Sequence, residues 1–194
     1  MQNGLQLLKQ LINHVHPLSD SEWNLFAGIW QPFEAGRKEV LTAPGETEKY
    51  LYVVLSGVQR VYYYDDAEHE ATLVFTYAPS FGGVLDSLLQ KKPSLYFYET
   101  LTPSTFLKAT ADDLHQLIET QPGIALLINK GLTETLAGVL QRLVELQCFS
   151  SEEKFRELLK RSPHILQLIP HKYLANYLGI DATNFSKLIN RIKI

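Results

Sequence analysis

Between residue 31 and about residue 110 the chain is written in short runs rich in Val, Tyr, Phe and Thr, punctuated by Gly and Pro. The runs cover residues 39–42, 50–55, 58–64, 71–77, 96–101 and 105–109. Turn signals fall at Pro44-Gly45, Ser56-Gly57, Asp65-Asp66, Pro79-Ser80, Gly82-Gly83 and Pro103-Ser104. Branched and aromatic side chains suit a half-buried pleated surface, so these runs read as strands. Joining parallel strands takes a crossover of a dozen residues or more, usually a helix. The one helical pattern inside this stretch is a turn at residues 85–89. An antiparallel barrel or jelly roll is therefore expected. Gly57, alone between two strands, suits a hairpin that needs positive φ.

Helical patterns flank the strands. Leu5, Leu8, Leu11, Ile12 and Val15 recur at helical spacing, and Pro17 closes that segment. Ser19 with Glu22 three residues on has the form of a capping box, opening a second helix through Ile29. After the strands, Ala111-Asp112-Asp113 opens a helix through Glu119. A longer one runs from Gln121-Pro122 to about Phe149. Along it Leu132, Leu136, Val139, Leu143 and Leu146 alternate steps of four and three, a heptad seam over two repeats. Leu126, Leu127, Leu140 and Val144 give a second apolar face. One face is expected to cover the barrel and the other to pair with a second copy of the chain.

The C-terminal stretch is the most specific. Ser150-Ser151-Glu152-Glu153 starts a helix with a cap and acids in the first turn, and Ser162-Pro163 stops it. A short apolar turn from His164 to Ile169 ends at Pro170. Two short helices then flank Gly179, with Ala175 four residues before it and Leu174, Leu178, Ile180, Phe185 and Leu188 as apolar contacts. This is the spacing of a helix-turn-helix, whose second helix lies in the DNA major groove. Asp181 is a suitable cap for that helix. Ala182, Thr183, Asn184 and Lys187 are the candidates to meet base edges. Ser186, Asn190, Arg191 and Lys193 are the candidates for phosphate, with Lys172 and Tyr173 touching the backbone from the first helix.

Charge agrees with that assignment. From Ser150 on, eight Lys/Arg stand against four Asp/Glu, a net of +4, whereas residues 1–149 carry −7. A basic end on an acidic body fits a phosphate-binding surface. One cysteine, Cys148, excludes a disulfide framework or a cysteine-held cluster within one chain and suits a reducing cytoplasm. The first residues show no signal peptide. No apolar run reaches the ~18–20 residues that span a bilayer, so no membrane is expected.

Taken in order, these elements resemble the cyclic-AMP receptor protein/FNR (Crp/Fnr) family of bacterial transcription regulators over nearly the whole chain. The residues carrying the likeness are Pro44-Gly45-Glu46, then Tyr50-Leu51-Tyr52-Val53-Val54-Leu55-Ser56-Gly57-Val58 with Tyr62, and the helix-turn-helix. The run from Ser162 to Pro170 resembles Bacteroidetes-type members. The resemblance implies an α+β chain: a cyclic-nucleotide-binding-like double-stranded β-roll (jelly roll) at residues 1–120, a dimerisation helix at 121–149 and an all-α helix-turn-helix domain at 150–194. It implies double-stranded DNA, a second copy of the chain, a small-molecule effector and RNA polymerase as partners, with no catalytic role. An effector pocket would be lined by Gly82, Gly83, Val84, Ser94 and Tyr96.

Three departures from the family matter. Cyclic-AMP-binding members carry a Glu that takes the ribose and an Arg that takes the phosphate. Here Val84 and Pro93 stand at those places and only Ser94 matches, so the ionic recognition of a buried phosphate is lost. Nearby Lys91 or Lys92 offers a point charge but no bidentate fork. The pocket is left to another small molecule, or to none. FNR-type oxygen sensing needs several cysteines, and the one histidine in the strand region, His69, reads as a surface residue, so no iron–sulfur or haem cofactor is expected. The chain given ends three residues after Arg191, too few for a wing after the second helix.

Catalytic and metal-binding alternatives find little support. Tyr62-Tyr63-Tyr64 and Tyr96-Phe97-Tyr98 alternate in and out of the roll and serve as core or surface residues. His14-Val15-His16 ends a helix instead of lying on a strand, His164 and His171 are seven apart, and neither pair makes a metal site. No nucleophile elbow, P-loop or dinucleotide fingerprint occurs. The rival function is a ligand-binding signalling module acting through protein contacts without DNA.

Overall fold

The computed structural model describes residues 1–191. The chain folds as two compact units, Met1–Val61 with Phe75–Glu134, and Tyr62–Val74 with the chain from Thr135 on.

The first unit opens with α1 (Gln2–Val15) and α2 (Asp20–Gly28). The Ser19 hydroxyl accepts from the Glu22 amide and the Glu22 carboxylate accepts from the Ser19 amide, the capping box read from the sequence. Eight strands follow: β1 (Gln31–Ala35), β2 (Val40–Thr42), β3 (Tyr50–Ser56), β4 (Val58–Tyr64), β5 (Glu70–Tyr77), β6 (Ser80–Gly82), β7 (Phe97–Thr100) and β8 (Ser104–Thr110). They form two four-stranded sheets, β1-β8-β3-β6 and β2-β7-β4-β5. The β1–β8, β3–β8, β3–β6 and β2–β7 pairs are antiparallel, as expected of a jelly roll. A helix, α3 (Leu85–Gln90), interrupts the strands where one turn was expected.

Two strands escaped the sequence reading. β1 contains Pro32, which argues against a central strand, yet β1 lies at a sheet edge, where a missing N–H is tolerated. β6 has three residues beside Pro79, too short for a period to show. Gly57 has φ 86°, and a Cβ there would stand 2.6 Å from the Pro103 carbonyl oxygen, so the β3–β4 turn admits only glycine.

Alternation along β3 and β8 sorts residues onto two faces. Leu51, Val53, Leu107 and Ala109 join Leu8, Ile12, Phe26, Trp30, Leu114, Ile124 and Leu127 in the larger core. Tyr52, Val54 and Phe106 turn inward between the sheets with Ala35, Val61, Val84 and Tyr98. The roll's interior is thus a packed aromatic core. The Tyr52 ring centroid lies 5.4 Å from Phe106, 5.6 Å from Tyr98 and 6.1 Å from Phe33. Of the two tyrosine-rich triplets, Tyr98 is fully buried, Tyr96 and Phe97 are half-buried, and Tyr63 and Tyr64 are exposed.

The helix α4 (Ala111–Thr120) is capped by Thr110, whose hydroxyl accepts from the Asp113 amide. The long helix α5 (Pro122–Cys148) has the expected 27 residues. The two-face expectation for it needs correction. Of the second apolar face only Leu127 is buried, while Leu126, Leu140 and Val144 are 44%, 55% and 53% exposed. The seam residues Leu132, Leu136, Val139, Leu143 and Leu146 are exposed too, so beyond Leu132 both faces stand open.

A second correction concerns the membrane. α5 is long and apolar enough, by length and composition, to cross a bilayer, with mean hydropathy 1.2 over its most apolar 18 residues. Lys130, Glu134 and Arg142 break the run in the sequence, but an average over the helix passes over them.

The second unit holds α6 (Ser151–Arg161), α7 (Ile165–Leu168), α8 (His171–Leu178) and α9 (Ala182–Arg191), together with the tip of the β4–β5 hairpin. Ser150 caps α6 in a second capping box with Glu153. Phe155, Leu158, Ile165, Ile169, Leu174, Leu178, Phe185 and Leu188 form its buried interior, with the Phe155 and Phe185 rings edge to face at 5.4 Å.

Candidate nucleic-acid interface and effector pocket

The α8–α9 pair has the geometry of a helix-turn-helix. Pro170 precedes α8, whose buried residues are Tyr173, Leu174, Ala175 and Leu178. Gly179 follows in the left-handed conformation with φ 62°, and its amide donates to the carbonyl oxygen of Asn176 at 3.0 Å. This left-handed stop suits glycine, and it ends the helix so that the chain can turn. Asp181 caps α9 by accepting from the Asn184 amide at 2.8 Å. Phe185 and Leu188 pin α9 inward, which leaves its opposite side to solvent.

The candidate contact residues divide accordingly. Ala182, Thr183, Ser186, Lys187, Asn190 and Arg191 lie on α9 and all are exposed, and Lys172 is exposed on α8. Asn184 is half-buried, and its side-chain Nδ2 donates to the Ser151 hydroxyl at 3.2 Å. The Ser186 hydroxyl turns back to the Ala182 carbonyl at 2.9 Å. Tyr173 is 6% exposed, a core residue whose ring carries the Lys172 ammonium at 4.6 Å. Lys193 lies outside the described residues.

Three sets of contacts hold the unit, and the sequence reading missed all of them. Glu145, 1% exposed near the end of α5, takes two hydrogen bonds from the Arg161 guanidinium, the one from Nη2 to Oε2 at 2.8 Å. Arg142 lies 3.5 Å from the same carboxylate, stacks 3.9 Å from the Tyr177 ring centroid and donates to the Tyr177 carbonyl. The Arg161 bonds are the main reason the Glu145 carboxyl is held below its ordinary range. Asn176 on α8 clamps the edge of β5: its Oδ1 accepts from the Thr72 amide and its Nδ2 donates to the Glu70 carbonyl, both at 2.6 Å. The only trace of this in the sequence is one polar amide in an apolar helix.

In the roll, the five expected pocket residues gather at one place but line a filled interior. Gly82, Gly83, Val84 and Ser94 are buried and Tyr96 is half-buried. The Ser94 hydroxyl donates to the Tyr96 carbonyl and accepts from the Tyr96 amide, both at 2.8 Å. Tyr98 Oη occupies the space a Gly82 side chain would need. Beside it runs a chain of side-chain hydrogen bonds from the Thr76 hydroxyl to Gln59 Oε1 (2.9 Å) and from Gln59 Nε2 to the Ser104 hydroxyl (2.8 Å). A cleft of about 320 Å³ does open nearby, lined by Thr47, Lys49, Tyr50, Lys91 and Asp112, among others. Lys91 and Asp112 pair across it at 3.0 Å. None of the five expected residues lines it.

His69 is exposed at the β4–β5 turn, 3.0 Å from Asp65. Among the described residues no group of three or more His, Cys, Asp or Glu is placed to hold a metal.

Residues 31–121 match the family model described as the cyclic nucleotide-binding domain. No curated protein sequence matches the chain significantly. Solved structures do. FixK2 from Bradyrhizobium japonicum is 15% identical with TM-score 0.75, over 84% of each chain. The c-di-GMP responsive global regulator CLP from Xanthomonas campestris is 16% identical with TM-score 0.68, over 89% of this chain and 91% of that one. The catabolite activator protein of Thermus thermophilus is 22% identical with TM-score 0.56, over 90% and 84%. Residues 31–121 therefore resemble the cyclic nucleotide-binding domain, in a chain that shares its fold with these solved structures.

Proposed function

We propose that the chain is a cytoplasmic DNA-binding transcription regulator of the Crp/Fnr type and not an enzyme. Residues 1–120 serve as its sensory roll, 121–149 as its dimerisation helix and 150–194 as its reading head. The observation that carries this reading is α9. Phe185 and Leu188 anchor it, and Thr183, Lys187, Asn190 and Arg191 stand exposed on it. Thr183 can bond base edges and Lys187 can reach guanine O6 and N7, while Asn190 and Arg191 reach phosphate. Arg191 keeps its charge available, since the carboxylate oxygen it faces, on Glu152, is 3.9 Å away.

The exposed leucines and valines of α5 support a homodimer. Leu132, Leu136, Val139, Leu143 and Leu146 repeat at coiled-coil spacing. A second copy is preferred to lipid as their cover, because Glu145 and Arg142 sit on the same helix in an ionic cluster with Arg161. A two-fold pair presents two recognition helices to half-sites about one helical turn apart, ~34 Å. The effector is a small molecule other than cyclic AMP held by the usual Glu and Arg, and RNA polymerase is the further partner this reading implies.

The test is retention of duplex DNA selected from a random pool, titrated with salt. Affinity is expected to fall steeply as salt rises, because bound Lys and Arg release condensed counterions. Lys187→Ala should weaken binding and relax the preference at one base position. Arg191→Ala should weaken it evenly and flatten the salt slope by about one. The second reading is a signalling module that works through protein contacts. It draws on the hydrogen bonds that already engage Asn184 and Ser186, and DNA retention unchanged in both variants would favour it.

A further inference from the structure

We infer that Glu48 is the roll's built-in ligand, an internal carboxylate that excludes anionic effectors from the place where the Gly82-Gly83-Val84 loop meets β3. Glu48 is 1% exposed. Its Oε2 accepts from the Thr42 hydroxyl at 2.7 Å and from the Val84 amide at 3.1 Å, and its Oε1 accepts from the Tyr50 amide at 3.2 Å. The donors come from three separate segments of chain and converge on one carboxylate. None of the ion pairs formed by the described residues includes Glu48. An unpaired buried charge is costly unless hydrogen bonds replace its water; burial pushes the Glu48 carboxyl above its ordinary range, and the amide and hydroxyl donors offset part of that.

The neighbouring groups are engaged as well. The Glu48 amide donates to Ser87 Oγ at 2.9 Å, and that hydroxyl donates to the Lys92 carbonyl at 2.5 Å. Tyr98 Oη lies 3.3 Å from the Thr76 hydroxyl, and Ser94 is closed on Tyr96. Gly83 has φ 112° and a Cβ there would lie 3.5 Å from a Glu48 oxygen, so the loop fits closely over the carboxylate. A phosphate or carboxylate from solution finds these donors taken. Internal ligation of this kind makes the roll's folded state independent of any bound anion.

The inference rests on the sensory roll of the function proposed above, but internal ligation by Glu48 does not depend on DNA binding, so the test reads the roll directly. Full-length wild-type, Glu48→Ala and Glu48→Gln proteins are melted in sodium acetate and, at equal ionic strength, in sodium chloride. Wild type should melt at the same temperature in both. Glu48→Ala should melt several degrees lower in chloride and recover part of that loss in acetate, saturably, as the free carboxylate enters the vacated space. Glu48→Gln keeps the space filled and should show no acetate response. Its –NH2 in place of one oxygen should speed hydrogen exchange at the Val84 or the Tyr50 amide. Equal acetate stabilisation of wild type, no acetate response in a folded Glu48→Ala, or unchanged exchange at both amides in Glu48→Gln would each overturn the inference. These readouts stand whether or not the chain retains DNA.

Discussion

Replacing Arg161 by Met separates two roles of the ionic cluster at the end of α5. The Glu145 carboxylate is out of water and takes two hydrogen bonds from Arg161, whereas Arg161 itself is 38% exposed. Arg161→Met leaves the carboxylate buried with the Gln141 amide at 3.3 Å and the Arg142 guanidinium at 3.5 Å. Breaking a fully buried pair costs about 3–5 kcal/mol. The exposure of Arg161 screens part of the attraction, which brings the expected cost down to about 2–3 kcal/mol. Glu145→Leu is the milder change, about 1–2 kcal/mol, because the freed guanidinium can turn into water. The double variant should then lie close to Glu145→Leu, giving a coupling of about 2–3 kcal/mol in a double-mutant cycle. Urea titration of the full chain measures all four proteins. At an m-value of about 1–3 kcal/mol per molar, Arg161→Met should lower the midpoint by roughly 1 M or more. The pH dependence has a definite sign. The folded-state pKa of Glu145 is depressed, chiefly by Arg161. Its contribution is therefore complete above the unfolded carboxyl pKa of about 4.3 and is lost as pH falls through the lower folded value. Arg161→Met should shrink that acid loss, because the folded pKa rises toward the unfolded one. Equal costs for the two single variants, with a double variant equal to their sum, would refute the reasoning.

Asn176→Ala removes both hydrogen bonds to the β5 edge and should cost about 1–3 kcal/mol locally. Faster hydrogen exchange at the Thr72 amide is the readout, and unchanged protection would show that the clamp carries no weight. Gly179→Ala should cost about 1–2 kcal/mol from the left-handed backbone alone. Its Cβ would lie 3.7 Å from Leu146, an ordinary contact, so thermal melting should show a modest fall and no collapse. Leu136→Glu with Leu140→Glu should turn a sedimenting dimer into a monomer at micromolar concentration, and a wild-type monomer would remove the dimer from the proposed function.

The patterns that survive in sequence are those set by neighbours in the chain. Capping boxes at Ser19 and Ser150, the left-handed Gly57 and Gly179, the Asp181 cap and the 27-residue α5 all follow from local backbone chemistry, and the structure carries each of them. Six of the eight strands were likewise legible from alternation and turns. β1 and β6 were not, because a proline at a sheet edge and a three-residue strand look like loop until a partner strand is placed beside them.

The folded chain alone settled which polar groups meet. Glu48 comes from a loop before β3 and finds Thr42, Tyr50 and Val84, the last 36 residues away. Asn176 finds β5 across more than a hundred residues. Tertiary placement also separated α9's exposed Lys187 and Arg191 from Asn184, turned onto Ser151, and buried Tyr173 in the core. Periodicity reports which face of an element is apolar, but it is blind to the partner that face meets. The identity of a buried carboxylate's donors is fixed by non-local packing, and no residue's sequence neighbours encode it.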